Sequence, residues 1–262
     1  LEISENESIH YMATEPVPGI KLIVALLHRH IGLKKMLQAL VVSASVLFVL
    51  FSGIVALISA ASLRGYREKI KTQKALVSSL VELTDFRDPE TGRHLERTRN
   101  YARWLAERLR EDPKFRNVIT DDFIEDLYDT APLHDIGKVA IRDAILLKEG
   151  ILEKDERKEI EAHVLVGGKI LDDIIRRSGT SDPLMQVAKN IVKHHHEKHN
   201  GQGYPYGLKG TDIPLEARIF ALSDVYDALS SRRPYKQPLT HEEAVGLIIA
   251  ERGKHFDPDI VD

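Results

Sequence analysis

Hydrophobic and polar positions along this 262-residue chain follow three successive patterns. Near the start, the run Ile20 to Leu27 follows Pro16, Pro18 and Gly19. It is too short to span a bilayer and reads as the last strand of a domain whose body lies upstream. From Met36 to Leu63 there is no charged residue, and Leu, Val, Phe, Ile, Ala and Ser cover every face. At about 1.5 Å per residue that run exceeds a hydrocarbon core of about 30 Å. Without a polar stripe it does not read as a core helix, and it is too long for a cleaved signal peptide. The pattern predicts a transmembrane helix. Past Arg64 the chain turns amphipathic: Leu76, Leu80 and Leu83, with Val77 and Val81, recur at three and four. That stripe fits either a homodimer seam or the first packed helix of the next domain.

From there the period of 3.6 repeats in helix after helix. Asp88-Pro89 supplies an N-cap and a first-turn proline for a helix to about Glu111. On it Glu90 and His94 share a face, continued by Arg97 or Thr98, Tyr101 and Leu105. Asp121 or Asp122 caps the next helix, which runs through Ile124, Leu127 and Tyr128 to His134-Asp135 and ends at Gly137-Lys138. A helix from about Lys154 to Arg177 carries Ile160, Val164, Gly167, Ile170 or Leu171, and Ile174, with His163 beside the stripe. Gly167-Gly168 inside it costs roughly 1 kcal/mol per residue against Ala, which points to a closely packed neighbour. Asp182-Pro183 opens a helix with stripe Leu184, Val187, Ala188, Ile191 and Val192, which continues to His195 and His196. His194 and His199 fall off it. Residues 200–212 form a Gly- and Pro-rich loop. After Pro214 a helix places Ile213, Ala217, Phe220, Asp224 and Asp227 or Ala228 on one face, and Thr240 with Glu243 makes a capping box for the last helix.

Composition narrows the chemistry. A net charge of -3 without a basic block disfavours a nucleic-acid polymer as partner. The absence of cysteine excludes disulfides, thiolate catalysis and Cys-ligated zinc. The first residue is Leu rather than Met and the chain stops just after an Asp-Pro helix start, so it reads as a fragment cut at both ends.

Five helices thus end or pause on inward His, Asp or Glu. The set is Glu90, His94, His134, Asp135, His163, His195, His196 and Asp224. Adjacent His134 and Asp135 can each reach a different ion, or Asp135 can bridge two. Eight N/O ligands exceed what one tetrahedral zinc uses. They suit two or three octahedral divalent ions, with iron or manganese the best match for mixed imidazole and carboxylate. Such ions clamp the attacking and leaving oxygens of an in-line displacement at phosphorus.

His134-Asp135-Ile136-Gly137-Lys138, Gly203-Tyr204-Pro205 after His195-His196, and Ser223 to Leu229 together resemble the HD-GYP family of the HD metallophosphohydrolase superfamily. The resemblance runs from about Thr84 to the end. It implies an all-α, HD-type helical bundle, here preceded by one transmembrane helix. It also implies a bacterial phosphodiesterase that hydrolyses cyclic di-GMP to linear pGpG, with further cleavage to GMP left open. Carried over residue by residue, it makes His94, His134, Asp135, His163, His195, His196 and Asp224 metal ligands, and Glu90 the mark of a three-metal subgroup. Lys138 would contact the scissile phosphate, beside the catalytic pair His134 and Asp135. Arg233 and Lys236 would hold the dinucleotide's phosphates, and Gly203-Tyr204 would line the guanine and phosphate side. Departures are peripheral: Arg142 for a common Pro, Ala162 for a common Thr, and His199 for a usual aromatic. Val17 to His30 resembles, over a short stretch, the tail of an extracytoplasmic Cache-type sensor.

The organisation expected is a sensor remnant at 1–35, a membrane helix at 36–63, a juxtamembrane helix at 64–87 and the phosphodiesterase domain at 88–262. Arg64, Arg67, Lys69, Lys71 and Lys74 after the span outnumber Arg29, Lys34 and Lys35 before it, which favours a cytoplasmic C-terminal side at the cell membrane. Three competitors remain: a catalytically silent HD-GYP platform, a phosphohydrolase of mononucleotides, and a preference for cyclic GMP-AMP.

Overall fold

The computed structural model describes residues 19–85, 92–178, 182–232 and 237–262, and these form helices with no β-strand. Helix α1 runs from Ile20 to Asp85. Ile20 to Leu27 is therefore its first turns and not a strand, because nothing breaks the chain between the run after Gly19 and the apolar stretch from Met36. Within α1 lies a stretch long and apolar enough to cross a membrane, and its side chains are exposed.

A separate compact unit runs from Ile70 to Asp262. Val77, on the last part of α1, is 3 % exposed in a core cluster with Leu133, Ile136, Leu171, Leu184 and Val192, and Leu80 and Val81 pack against it. Of the stripe that the sequence left open, Val77, Leu80 and Val81 thus pack into the domain, while Leu76 is exposed. Gln73 and Lys74 add polar contacts to Asp182 (2.6 Å) and Asp129 (2.8 Å).

Helix α2 spans Gly92–Leu109 and α3 Asp121–Thr130. The Asp88-Pro89 start lies outside the described residues. The most buried side of α2 is His94, Thr98, Ala102, Ala106 and Leu109. Of the expected face, His94 and Thr98 are buried, Leu105 packs partly buried on the same core, and Tyr101 is partly buried. Small residues occupy it where α2 packs on α8 (Leu215–Ser230), whose Ile219 and Phe220 share a core cluster with Ala102 and Ala106. The cap of α3 is Thr120, whose hydroxyl accepts from the Phe123 N–H, and not either aspartate. After α3 the chain tightens into 3-10 turns at Ala131–Leu133 and Ile136–Ala140, so His134 and Asp135 sit on a kinked connection and not on a regular helix. Pro132, in the first of these turns, cannot donate to a continuing α-helix.

Short α4 (Asp143–Leu146) leads to α5 (Lys154–Glu161) and α6 (His163–Ser178), which break at Ala162 where one helix was expected. Helix α7 (Pro183–His194) buries the expected stripe and adds Met185. After α8 come α9 (His241–Ala250), with the Thr240–Glu243 capping box, and α10 (Pro258–Val261). Glycines 167 and 137 explain how α6 approaches the kinked connection. A Cβ on Gly137 would stand 1.8 Å from the His163 carbonyl oxygen, and one on Gly167 would stand 2.7 Å from Val192. Close packing at Gly167 is what the mid-helix pair suggested.

Candidate metal centre

Every helix of the bundle that carries a candidate ligand delivers it to one place. His134 and Asp135 come from the kink after α3, His94 from α2, and His163 from the first residue of α6. His195 and His196 follow the end of α7, and Asp224 lies on α8. Two groups result: Asp135, His163, His195 and His196, and separately His94, His134 and Asp224. In each, candidate ligand atoms lie within 4.8 Å of one another.

Asp135 stands between the two groups. Its Oδ1 is 3.1 Å from His163 Nε2 and 4.0 Å from His195 Nε2, while its Oδ2 is 3.0 Å from His134 Nε2. In the second group His94 Nε2 is 3.6 Å from Asp224 Oδ1. Lys138 lies one turn on, its Nζ 2.8 Å from Asp135 Oδ2.

The histidines are held for ligation. Nδ1 of His134, His163 and His195 faces the carbonyls of Ala131, Ile160 and Ile191 at 3.1, 2.6 and 3.0 Å. A carbonyl only accepts, so each Nδ1 carries a proton and each Nε2 is the nitrogen turned toward the cluster. Nε2 of His195 is buried with no hydrogen-bond partner among the described residues, and Nε2 of His163 is buried against the Asp135 carboxylate at 3.1 Å. A buried polar atom left without a partner costs free energy, and a cation between these groups would satisfy both. The donor set fits divalent metal: imidazole nitrogens and carboxylate oxygens, no thiolate, and inner tautomers already fixed.

Charge is distributed to match. Burial works against ionising Asp135, but the charges of His134 and Lys138 hold its carboxyl well below the ordinary range. Burial also opposes charge on His134, yet the Asp135 carboxylate raises it to about 9. Burial and the neighbouring His163 bring His196 down to about 3, and burial with His196 and His134 keeps His195 neutral as well.

Asp227, left as an alternative to Ala228 in the sequence, proves to be the support of His94. It is 1 % exposed, accepts at 2.7 Å from His94 Nδ1, and takes Arg97 Nε and Nη2 at 2.5 and 2.9 Å. Burial would raise its carboxyl, but the hydrogen bonds from His94 and Arg97 bring it down to about 2. The signal was present as two i,i+3 pairs, His94 with Arg97 and Asp224 with Asp227, and had no chemistry attached to it.

The loop after α7 closes one side. Tyr204 stacks on His196 with ring centroids 4.7 Å apart and planes at 28°. Burial, then Glu161, Asp135 and Asp224, push its hydroxyl upward, so it stays a donor. Gly203 has a packing reason of its own: a Cβ there would meet Lys198 N at 2.3 Å and Glu197 Cα at 2.5 Å. His194 and His199 stay out of both groups, as expected. Glu90, Arg233 and Lys236 lie outside the described residues.

Comparison with known proteins gives the family of this sequence. The sequence profile of the HD domain family matches residues 78–260. A probable cyclic di-GMP phosphodiesterase of Vibrio cholerae serotype O1 is 50 % identical over 200 residues, 76 % of this chain and 45 % of that one. A cyclic di-GMP phosphodiesterase of the same organism is 43 % identical over 202 residues, 77 % of this chain and 41 % of that one. A 3'3'-cGAMP-specific phosphodiesterase 2, also from Vibrio cholerae, is 40 % identical over 192 residues, 73 % and 34 % of the two chains. The chain thus spans less than half the length of each of these relatives.

Proposed function

Because the chain belongs to the HD domain family, we propose that it is a metal-dependent phosphodiesterase of the HD-GYP type that hydrolyses cyclic di-GMP to pGpG. The carrying observation is the placement of Asp135, one oxygen toward His163 and His195 and the other toward His134. A carboxylate so placed would serve ions held in both groups, which is the arrangement wanted for in-line displacement at phosphorus. The names of the 50 % and 43 % identical relatives point to the same substrate.

Divalent ions held here would supply Lewis acidity at the phosphate and an activated water. The ligands in this reading are His94, His134, Asp135, His163, His195, His196 and Asp224, with Glu90 as the ligand that marks a third ion. Iron or manganese suits the set best. Asp227 orients His94, and the three backbone carbonyls orient His134, His163 and His195. Lys138, paired with Asp135, is the cation that would turn to a non-bridging phosphate oxygen. Tyr204 walls the pocket beside His196. Arg233 and Lys236 carry the distal phosphate, for which Arg geometry is suited. The apolar stretch of α1 anchors the enzyme in the cell membrane with this domain in the cytoplasm, downstream of a sensor.

The 40 % identical relative specific for 3'3'-cGAMP supports a second reading, cyclic GMP-AMP as substrate. The test is the full chain purified without air, incubated separately with the two dinucleotides and followed by product chromatography. Faster conversion of cyclic di-GMP, with pGpG appearing first, is expected. Faster conversion of cyclic GMP-AMP would move the assignment to the second reading, and no turnover of either with metal bound would overturn both.

A further inference from the structure

Glu197 follows directly on His195-His196, yet it belongs to neither ligand group and has no ion-pair partner among the described residues. It is 2 % exposed, the least comfortable place for a carboxylate. Both of its oxygens point into the following loop. Oε1 accepts the Tyr206 N–H at 2.8 Å and Oε2 accepts the Leu208 N–H at 3.0 Å. Charge-assisted bonds to backbone N–H groups are among the stronger hydrogen bonds a fold can make, and here two of them hold one irregular segment.

The same short stretch of backbone holds that segment twice more. Gly203 lies so close to Glu197 Cα and Lys198 N that no side chain fits. The Tyr204 N–H donates to the His196 carbonyl at 3.2 Å. Between Gly203 and Leu208 the loop is therefore hung on His196 and Glu197 at four points. What this suspension fixes is the Tyr204 ring, stacked on the imidazole of His196. His195, by contrast, is held from behind: its N–H and its Nδ1 both reach the Ile191 carbonyl at 3.0 Å. Loosening the loop leaves that anchoring in place.

We propose that Glu197 is a positioning residue for substrate: its carboxylate sets the loop that presents Tyr204 at the mouth of the metal centre, and it acts on dinucleotide binding rather than on metal loading. The proposal rests on the phosphodiesterase reading above. It follows that a side chain of the same size without two equivalent acceptors is not enough. Gln offers one carbonyl oxygen and sets an NH2 donor against the other N–H, leaving a buried donor unsatisfied.

The test uses the full chain carrying Glu197→Gln or Glu197→Ala, beside wild type. Three quantities are read: metal equivalents per chain, KM and kcat for cyclic di-GMP, and hydrogen exchange at the Tyr206 and Leu208 amides. The expected result is unchanged metal, KM raised about tenfold or more with kcat within about threefold, and faster exchange at those two amides in both variants. Loss of metal in step with activity, or KM unchanged while both amides exchange faster, would overturn the positioning role. Unchanged exchange would overturn the clamp itself. Exchange and metal content are read without turnover, so an inactive wild type would count against the phosphodiesterase reading and leave the clamp to be judged by those two readouts.

Discussion

Gly137→Ala is the substitution whose consequence follows most directly from the packing. The added methyl carbon would stand 1.8 Å from the His163 carbonyl oxygen and 2.6 Å from Gly167 N, whereas ordinary contact begins at 3.4 Å. Both obstacles are backbone, so no side chain can swing aside. The turn at Ile136–Ala140 and helix α6 must separate by roughly 1.6 Å, the difference between those two distances. That separation falls between Asp135, two residues before the glycine, and His163, whose own carbonyl is the obstacle. Bonds to a divalent ion are about 2.0–2.2 Å and tolerate about 0.2 Å, so the displacement is several times what shared coordination allows. Overpacking of this kind costs about 1–3 kcal/mol, while a domain has about 5–15 kcal/mol in hand. The variant should fold, with unchanged helical circular dichroism and a lower melting temperature. It should lose at least one metal equivalent, and turnover of cyclic di-GMP should drop at least about 100-fold. Gly168→Ala is the control on the same helix, because the atoms nearest its methyl are methylenes of the Lys193 side chain and not backbone. Its activity should stay within about threefold of wild type. Wild-type metal content and turnover in Gly137→Ala would refute the claim that this contact sets the distance from Asp135 to His163.

Two further outcomes follow from groups outside the ligand set. Asp227→Asn removes the charge that orients His94, and should weaken manganese binding about 10–100-fold by equilibrium competition; unchanged affinity would contradict that role. Asp126, on α3, has its carboxyl raised to about 6, chiefly by burial and then by Asp182, Asp122 and Asp129. A carboxyl raised above its unfolded value favours the fold while protonated, and that benefit is lost as pH climbs through about 6. Because the group is partly exposed, the full shift is discounted to about 1 kcal/mol. Asp126→Asn should therefore stabilise the protein by about that much at pH 8 and by almost nothing at pH 4. An equal gain at both pH values in urea melts would count against it.

The sequence carried much of the fold because apolar period and caps are local properties. The stripe of α7 and the Thr240–Glu243 box could be read position by position, and following the stripe past Val192 led to His195 and His196. What could not be read depends on partners far along the chain. Ala102 and Ala106 take the most buried positions of α2, with Tyr101 and Leu105 only partly buried beside them, where α8 lies close. The break at Ala162 leaves no composition signal, and Ile20 to Leu27 looks like a strand until it is seen to continue into the apolar helix. In the site, ligand types are visible as His and Asp on successive stripes. Asp227 and Glu197 are not, because their work is to accept hydrogen bonds from His94 and from a loop, and a supporting carboxylate has no spacing of its own.

The central claim is that Asp135 joins two groups of ligands into one centre. Metal analysis of wild type and of Asp135→Ala, purified without air, tests it most directly. The account predicts about two or more divalent ions per wild-type chain and depletion of ions from both groups in the variant. A single ion in wild type, or a variant that loses one ion and keeps the other at full occupancy, would contradict it.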